Sequence, residues 1–136
     1  MSDFLDTNIL VYSIGGNPAD AAKKIKAMAL LSRPEIVLSV QVLQEFYVVV
    51  TRPRNKHPMP VLQAERLIKS WYRFEIIDLT KDILSSAMEI SRTNQISYWD
   101  AAIVAAAESA GCERVLTEDL NHGQKIGKVE IVNPFI

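Results

Sequence analysis

Short apolar runs alternate with longer mixed segments along this chain. Phe4-Leu5 and Ile9-Leu10-Val11-Tyr12 are parted only by Asp6-Thr7-Asn8. This reads as a buried strand, a tight turn and the start of a helix. The helix takes about two turns, from Asn8 to Ile14, and Gly15-Gly16 stops it. Asn17-Pro18 supplies a cap and a proline at the first helical position. The pattern predicts a second helix to about Leu31, with Ile25, Met28, Ala29 and Leu31 inward and Lys23, Lys24 and Lys26 outward. Those lysines are either a solvated face or phosphate contacts.

Pro34 breaks the chain, and Glu35-Ile36-Val37-Leu38-Ser39 reads as a second buried strand. Ser39 caps the next helix, whose core stripe is Leu43, Phe46, Tyr47 and Val50. Glu45 lies on another side, in register with Gln41 and Arg52. A helix resumes near Pro60, with Val61, Leu62, Leu67, Ile68 and Trp71 as its apolar positions. Phe74-Glu75-Ile76-Ile77-Asp78-Leu79 is a third strand, followed by a helix capped by Thr80. Ser97 begins a run of small apolar residues, Ala101 to Ala107, that Gly111 ends. Glu113 to Thr117 and Val129 to Val132 are the last two strands, with a turn or short helix at Leu120 to Gly123. Strand and helix alternate throughout, which argues an α/β fold with a parallel sheet covered on both faces.

Composition narrows the picture. At 136 residues, 49% hydrophobic and 23% charged, residues 1–136 suit a single domain with a proper core. The net charge of −1 gives no general attraction for polyanions, so a nucleic acid would need a local basic patch or metal ions. The best basic patch is the loop holding Arg52, Arg54, Lys56 and His57. It is either a solvated loop or a phosphate-binding site. A single cysteine, Cys112, excludes an internal disulfide and a thiolate zinc site. The apolar runs are too short or too charged to span a membrane, and no signal-peptide pattern opens the chain. A cytoplasmic protein is expected.

The candidate chemistry is acidic. Asp6 and Asp119 fall at carboxyl ends of strands, where open α/β sheets place their ligands. Glu45 and Asp100 fall early on helices, near the same edge. Each has a plainer reading. Asp6 and Asp100 suit helix N-termini, and Glu45 can offset a helix dipole. Four converging carboxylates repel one another unless a divalent cation sits among them. Oxygen donors without cysteine or paired histidine suit Mg²⁺ or Mn²⁺, and such a centre points to phosphodiester hydrolysis.

Leu5-Asp6-Thr7-Asn8, Glu45 after Ser39, Tyr98-Trp99-Asp100-Ala101 and Leu116-Thr117-Glu118-Asp119 together resemble the PIN-domain ribonucleases. Within them the pattern is most similar to the VapC-like toxins of type II toxin–antitoxin pairs. The resemblance implies a PIN-like α/β/α sandwich around a central, mainly parallel, five-stranded twisted sheet, usually as a homodimer. It implies an Mg²⁺- or Mn²⁺-dependent endoribonuclease acting on single-stranded or loop RNA, restrained by a cognate antitoxin. Carried over, the catalytic and metal-binding acids are Asp6, Glu45, Asp100 and Asp119. Thr7 or Asn8 orients Asp6 or a water, Thr117 supports the fourth acid, and Glu118 adjoins it.

Other readings make different demands. A receiver domain needs a lysine near its last strand, where this chain has Ile131-Val132-Asn133-Pro134. A haloacid-dehalogenase-type phosphatase needs a second acid two residues after the first, where Asn8 stands. A PIN nuclease of RNA processing or decay without an antitoxin, and a non-catalytic PIN scaffold binding protein or RNA, are the alternatives within the family.

Overall fold

The structure is a computed structural model that describes residues 2–136. Its first strand, β1 (Asp3–Leu5), is buried at every position. Asp6 is extended and starts α1 (Thr7–Ser13). A 3₁₀ turn, Pro18–Asp20, is capped by Asn17, whose side chain accepts the Ala19 amide, and leads into α2 (Ala21–Leu31). Next come β2 (Ile36–Ser39), α3 (Val40–Thr51), α4 (Val61–Ser70), β3 (Glu75–Ile77), α5 (Lys81–Asn94), α6 (Tyr98–Ser109), β4 (Arg114–Leu116), β5 (Lys125–Ile126) and β6 (Val129–Val132).

The six strands lie in the order β3-β2-β1-β4-β6-β5. The five expected strands are all present and all parallel. The sixth, β5, pairs antiparallel with β6 at one edge. Two residues, one of them a lysine, carry no periodicity for a sequence reading to detect. The helices form two packed groups. In one, α1 touches α2 and α3, and α3 touches α4; in the other, α5 packs on α6, which lies against β2, β4 and β6. The sheet lies between helical layers, the arrangement expected for an α/β sandwich.

Local chemistry explains the element boundaries. Ser39, Thr80 and Ser97 accept the amides of Val42, Ile83 and Asp100 through their side chains, which relieves donors that a helix start leaves unpaired. Gly111, at φ +74°, follows α6. Its amide reaches Glu108 O and that of Cys112 reaches Ala107 O, a paired closure that needs a left-handed residue. The seven residues Ala101 to Ala107 are all buried, so α6 is apolar on every side. Phe4, Leu5, Ile9, Leu10, Leu38, Val42 and Phe46 are fully enclosed. Burial of each is worth about 1.5–3 kcal/mol in transfer free energy.

One helix face differs from the sequence expectation. On α2 the buried residues are Ala27 and Leu31, while Ile25 and Met28 are 71% and 54% exposed. The inward row at spacing four starts from Lys23, not from an apolar residue. Lys23 lays its stem inward and its ammonium reaches Glu118 at 2.9 Å. On α4 and α5 the outer apolar residues Val61, Leu62, Leu84 and Met88 are exposed as well, with Ala64, Ile83 and Ala87 as the buried contacts.

The amino end of the sheet holds a buried charge with partners. Asp3 is fully enclosed; Arg114, its neighbour across the ladder, donates Nε at 2.8 Å, and Arg33 Nη1 lies 3.0 Å away. Burial works to raise the Asp3 pKa, but the two guanidinium groups together outweigh it and hold the carboxyl below its usual range. No helix among the described residues is long and apolar enough to cross a membrane.

Candidate active site

The opposite, carboxyl end of the sheet is where the acids gather. β1 delivers Asp6 into a buried position with 6% exposure. Its Oδ1 accepts the Thr7 amide at 2.7 Å, so Asp6 does cap α1. Its Oδ2 accepts the Thr117 hydroxyl at 2.9 Å, a bond that capping does not require. Burial is the main influence on this carboxyl and pushes its pKa up to about 6. The two hydrogen bonds pull it back, and the charges of Asp119 and Glu45 push it up again. Asp6, Glu45 and Asp119 therefore share one electrostatic neighbourhood.

Each of the other two acids is held by named partners. Glu45, one turn into α3, accepts the Thr7 hydroxyl at 2.9 Å on Oε2 and the Gln41 amide at 3.0 Å on Oε1. Thr7 is thus turned toward Glu45 through its side chain and toward Asp6 through its backbone. Asp119 follows β4 and accepts the Asn8 amide at 3.0 Å. The same Asn8 nitrogen reaches the Thr117 hydroxyl at 3.0 Å, and the Asp119 amide donates to that hydroxyl at 3.1 Å. Thr117, fully buried, is the junction between the first acid and the fourth.

Asp100 stands apart from this network. Its amide donates to Ser97 Oγ at 3.1 Å, the capping interaction of α6. Its side chain makes no hydrogen bond or ion pair among the described residues, and it is not among the charges acting on Asp6. Its link to the other acids is indirect. Gln41, which holds Glu45, also donates to the carbonyl of Trp99 at 3.1 Å. The sequence pattern places Gln41 in register with Glu45 without giving it a task; the spacing of four on one helix was the available signal.

A cleft of about 620 Å³ opens over these groups, lined by Thr7, Asn8, Glu45, Arg52, Glu118 and Asp119 among others. Of the basic loop, only Arg52 lines it; Arg54 and Lys56 are exposed outside it. Glu118 is turned away from the acids, toward Lys23 and Tyr12.

The donor set fits a hard divalent cation in its chemistry. All three neighbouring acids offer oxygen, and no Lys, Arg or His among the described residues pairs with any of them. Asn8 Oδ1 is the one buried side-chain nitrogen or oxygen among the described residues with no hydrogen-bond partner. Uncompensated carboxylates and an orphaned acceptor are what a cation with its water shell satisfies. The fit is one of charge and donor type, since no group of three or more His, Cys, Asp or Glu among the described residues is arranged to hold a metal ion.

Comparison with known proteins bears on the fold and the family. The fold is similar to that of a toxin–antitoxin complex from Klebsiella pneumoniae, at 23% identity over 98% of both chains with a TM-score of 0.72. It is similar to the VapBC2 pair of Rickettsia felis bound to a DNA fragment from their promoter, at 22% identity over 96% of this chain and 97% of that one, TM-score 0.67. It is also similar to the sarcin–ricin-loop-cleaving toxin VapC20 of Mycobacterium tuberculosis, at 23% identity over 87% and 92%, TM-score 0.66. At these identities the likeness is one of fold. No match is found among the curated proteins. The PIN domain model matches residues 4–127. A match that starts in β1, takes in all four acids and ends just past β5 places the chain in the PIN-domain family.

Proposed function

We propose that this protein is a metal-dependent endoribonuclease, the toxin of a toxin–antitoxin pair. The observation that carries the proposal is the grouping of Asp6, Glu45 and Asp119 beside a cleft with no paired cation. A buried carboxylate such as Asp6, left beside two other acids in this state, is costly, and proteins concentrate such costs at functional sites. The four motif acids stand in the order that PIN nucleases use, and solved structures similar to this fold include an RNA-cleaving toxin and toxin–antitoxin complexes.

In this reading Asp6, Glu45 and Asp119 hold Mg²⁺ or Mn²⁺, and Asp100 completes the set from the head of α6. Held there, such an ion would supply Lewis-acid stabilisation of phosphoryl charge and would make water a better nucleophile. The chain's own residues set the stage. Thr117 and the Thr7 amide favour the ionised form of Asp6 against the pull of burial. Thr7 and Gln41 fix both oxygens of Glu45. Asn8 fixes Asp119 and leaves its own Oδ1 free to accept a hydrogen bond from water. Arg52, which lines the same cleft, would meet an RNA phosphate in this reading.

The acidic cleft is also where an antitoxin would bind, with a basic side chain among the carboxylates. The homodimer implied by the family would draw on exposed apolar residues of the first two helices, of which Ile25 and Met28 are the largest. Light scattering of Ile25→Glu beside the parent protein tests that face.

The deciding experiment is cleavage of a labelled tRNA pool with Mg²⁺, with Mn²⁺ and with EDTA, beside Asp6→Asn and Asp100→Asn. Metal-dependent cutting lost in both variants, with their fold intact by circular dichroism, is the expected result. Cutting that persists in pure Asp6→Asn or in EDTA overturns the reading.

A further inference from the structure

The segment after β4 carries Asp119 yet has little backbone support. Between Thr117, whose amide reaches Val132 O, and Gly123, whose amide reaches Ile131 O, the one hydrogen-bonded amide among the described residues is that of Asp119, on the Thr117 hydroxyl. Side chains hold the loop instead. At its far end, His122 Nδ1 accepts the amide of Asn133 at 3.0 Å. At its near end, Glu118 is gripped from two helices. Lys23 of α2 donates to Oε2 at 2.9 Å, and the Tyr12 hydroxyl of α1 donates to Oε1. Lys23 also donates to the Tyr12 hydroxyl at 3.2 Å, which closes a three-membered ring. Aromatic packing backs it: Phe135 meets Tyr12 edge-on at 5.1 Å, and the Lys23 ammonium lies 4.8 Å from the Tyr12 ring and 5.6 Å from that of Phe135.

We infer that Lys23, Tyr12 and Glu118 form a clamp that positions Asp119. Glu118 is then not an additional ligand beside Asp119 but the anchor that fixes its orientation. The inference rests on the nuclease reading for its consequence in catalysis, though the clamp itself is a statement about the loop. Both oxygens of Glu118 are engaged away from the other acids, whereas its neighbour Asp119 is held by Asn8 alone through its side chain. Glu118 and Asp119 are consecutive residues of the bend after β4, so fixing the Glu118 side chain restrains the backbone from which Asp119 projects. An exposed ion pair adds little to global stability, so the clamp's effect is one of placement. Groups that orient metal-binding carboxylates from behind change affinity or activity by about ten- to a hundredfold when removed.

The test uses the full chain as Lys23→Met, Glu118→Gln, the double variant and Lys23→Arg. Amide hydrogen exchange at the hydrogen-bonded loop amides of Thr117, Asp119 and Gly123, Mn²⁺ binding by calorimetry and steady-state RNA cleavage are measured on each. The expected result is faster exchange confined to this loop, Mn²⁺ affinity lowered about tenfold, and kcat lowered about tenfold with KM for RNA unchanged. The double variant behaves like the worse single one, because both remove the same contact, and Lys23→Arg restores most of the loss. Unchanged loop exchange in Lys23→Met and Glu118→Gln overturns the clamp. So does an additive double variant, or a loss confined to KM, which would make Lys23 a phosphate contact. If the parent protein neither cuts RNA nor binds Mn²⁺, the nuclease reading fails, and the exchange measurements still decide whether the loop is clamped.

Discussion

Thr117 donates its hydroxyl to Asp6 across 2.9 Å while the same oxygen accepts the amide of Asp119, two residues on. One buried hydroxyl thus joins the carboxylate after the first strand to the one after the fourth. Its bond to Asp6 favours the ionised form. Thr117→Val keeps the shape and removes the bond. The Asp6 carboxyl then titrates above its present value of about 6, so a smaller fraction is ionised at pH 7. The acid limb of the pH–rate profile moves to higher pH. Stability falls by about 1–3 kcal/mol, since buried partners lose their bond. Carbon-detected NMR titration of Asp6 and urea unfolding check the two halves separately.

Asp6 itself makes the metal-free fold sensitive to pH. Its folded pKa of about 6 lies above the ordinary value of 3.8, so the native state holds its proton more tightly than the unfolded chain. Stability therefore declines as pH rises from about 4 to about 6. The contribution is about 3 kcal/mol, at about 1.4 kcal/mol for each pH unit. Asp6→Asn removes that decline. Melting curves of both proteins in EDTA between pH 4 and 7.5 should converge at the acid end and separate near neutrality, with the variant the more stable.

Divalent cations should reverse this cost. At about a hundred times the dissociation constant, a ligand specific for the native state adds about 3 kcal/mol. Mg²⁺ or Mn²⁺ at pH 7 should accordingly raise the melting temperature of the parent protein. The rise should be absent from Asp6→Asn and reduced in Asp119→Asn. An equal rise in all three proteins would show that the ion binds elsewhere.

At the other end of β1 the sign is opposite. Asp3 has a lowered pKa, because Arg114 and Arg33 outweigh its burial. Its contribution is present above the unfolded pKa and is lost as pH falls through the lower folded value. Arg114→Ala leaves Asp3 enclosed with Arg33 as its remaining partner. A loss of about 2–4 kcal/mol is expected, since breaking a buried pair costs more than the pair contributes. Urea unfolding measures the loss, and RNA cleavage by the folded variant should stay at the parent level.

Much of this was legible in the sequence, for physical reasons that differ by element. Asn17, Ser39, Thr80, Ser97 and Gly111 mark helix boundaries through local bonds that need no partner from far along the chain. The five parallel strands follow from apolar runs too short to be helices. The inward face of α2 was not legible. Ile25 and Met28 have the apolar character of a core row, but the small Ala27 and the lysine that reaches Glu118 face the fold. At the site, Asp6, Glu45 and Asp119 were readable as acids bound for one edge. The Lys23–Tyr12–Glu118 ring was not, because hydrogen bonds between side chains of distant segments leave no periodic trace, whereas Gln41 was visible only through its spacing of four from Glu45. Asp100 is the converse case. Its motif is clear in sequence, while its carboxylate lies outside the hydrogen-bonded set.

The bond between Thr117 and Asp6 spans 111 positions of sequence. Chains are made from the amino end, and domains fold as their segments emerge. A nascent chain extruded as far as α5 already contains Asp6 and Glu45. It still lacks the hydroxyl that keeps Asp6 ionised, the fourth acid, and the strand that pairs with β1 on its second side. The acid centre can therefore assemble only after β4 and the residues that follow it have emerged. Under the nuclease reading, that order of assembly leaves a partly made chain unable to cut RNA.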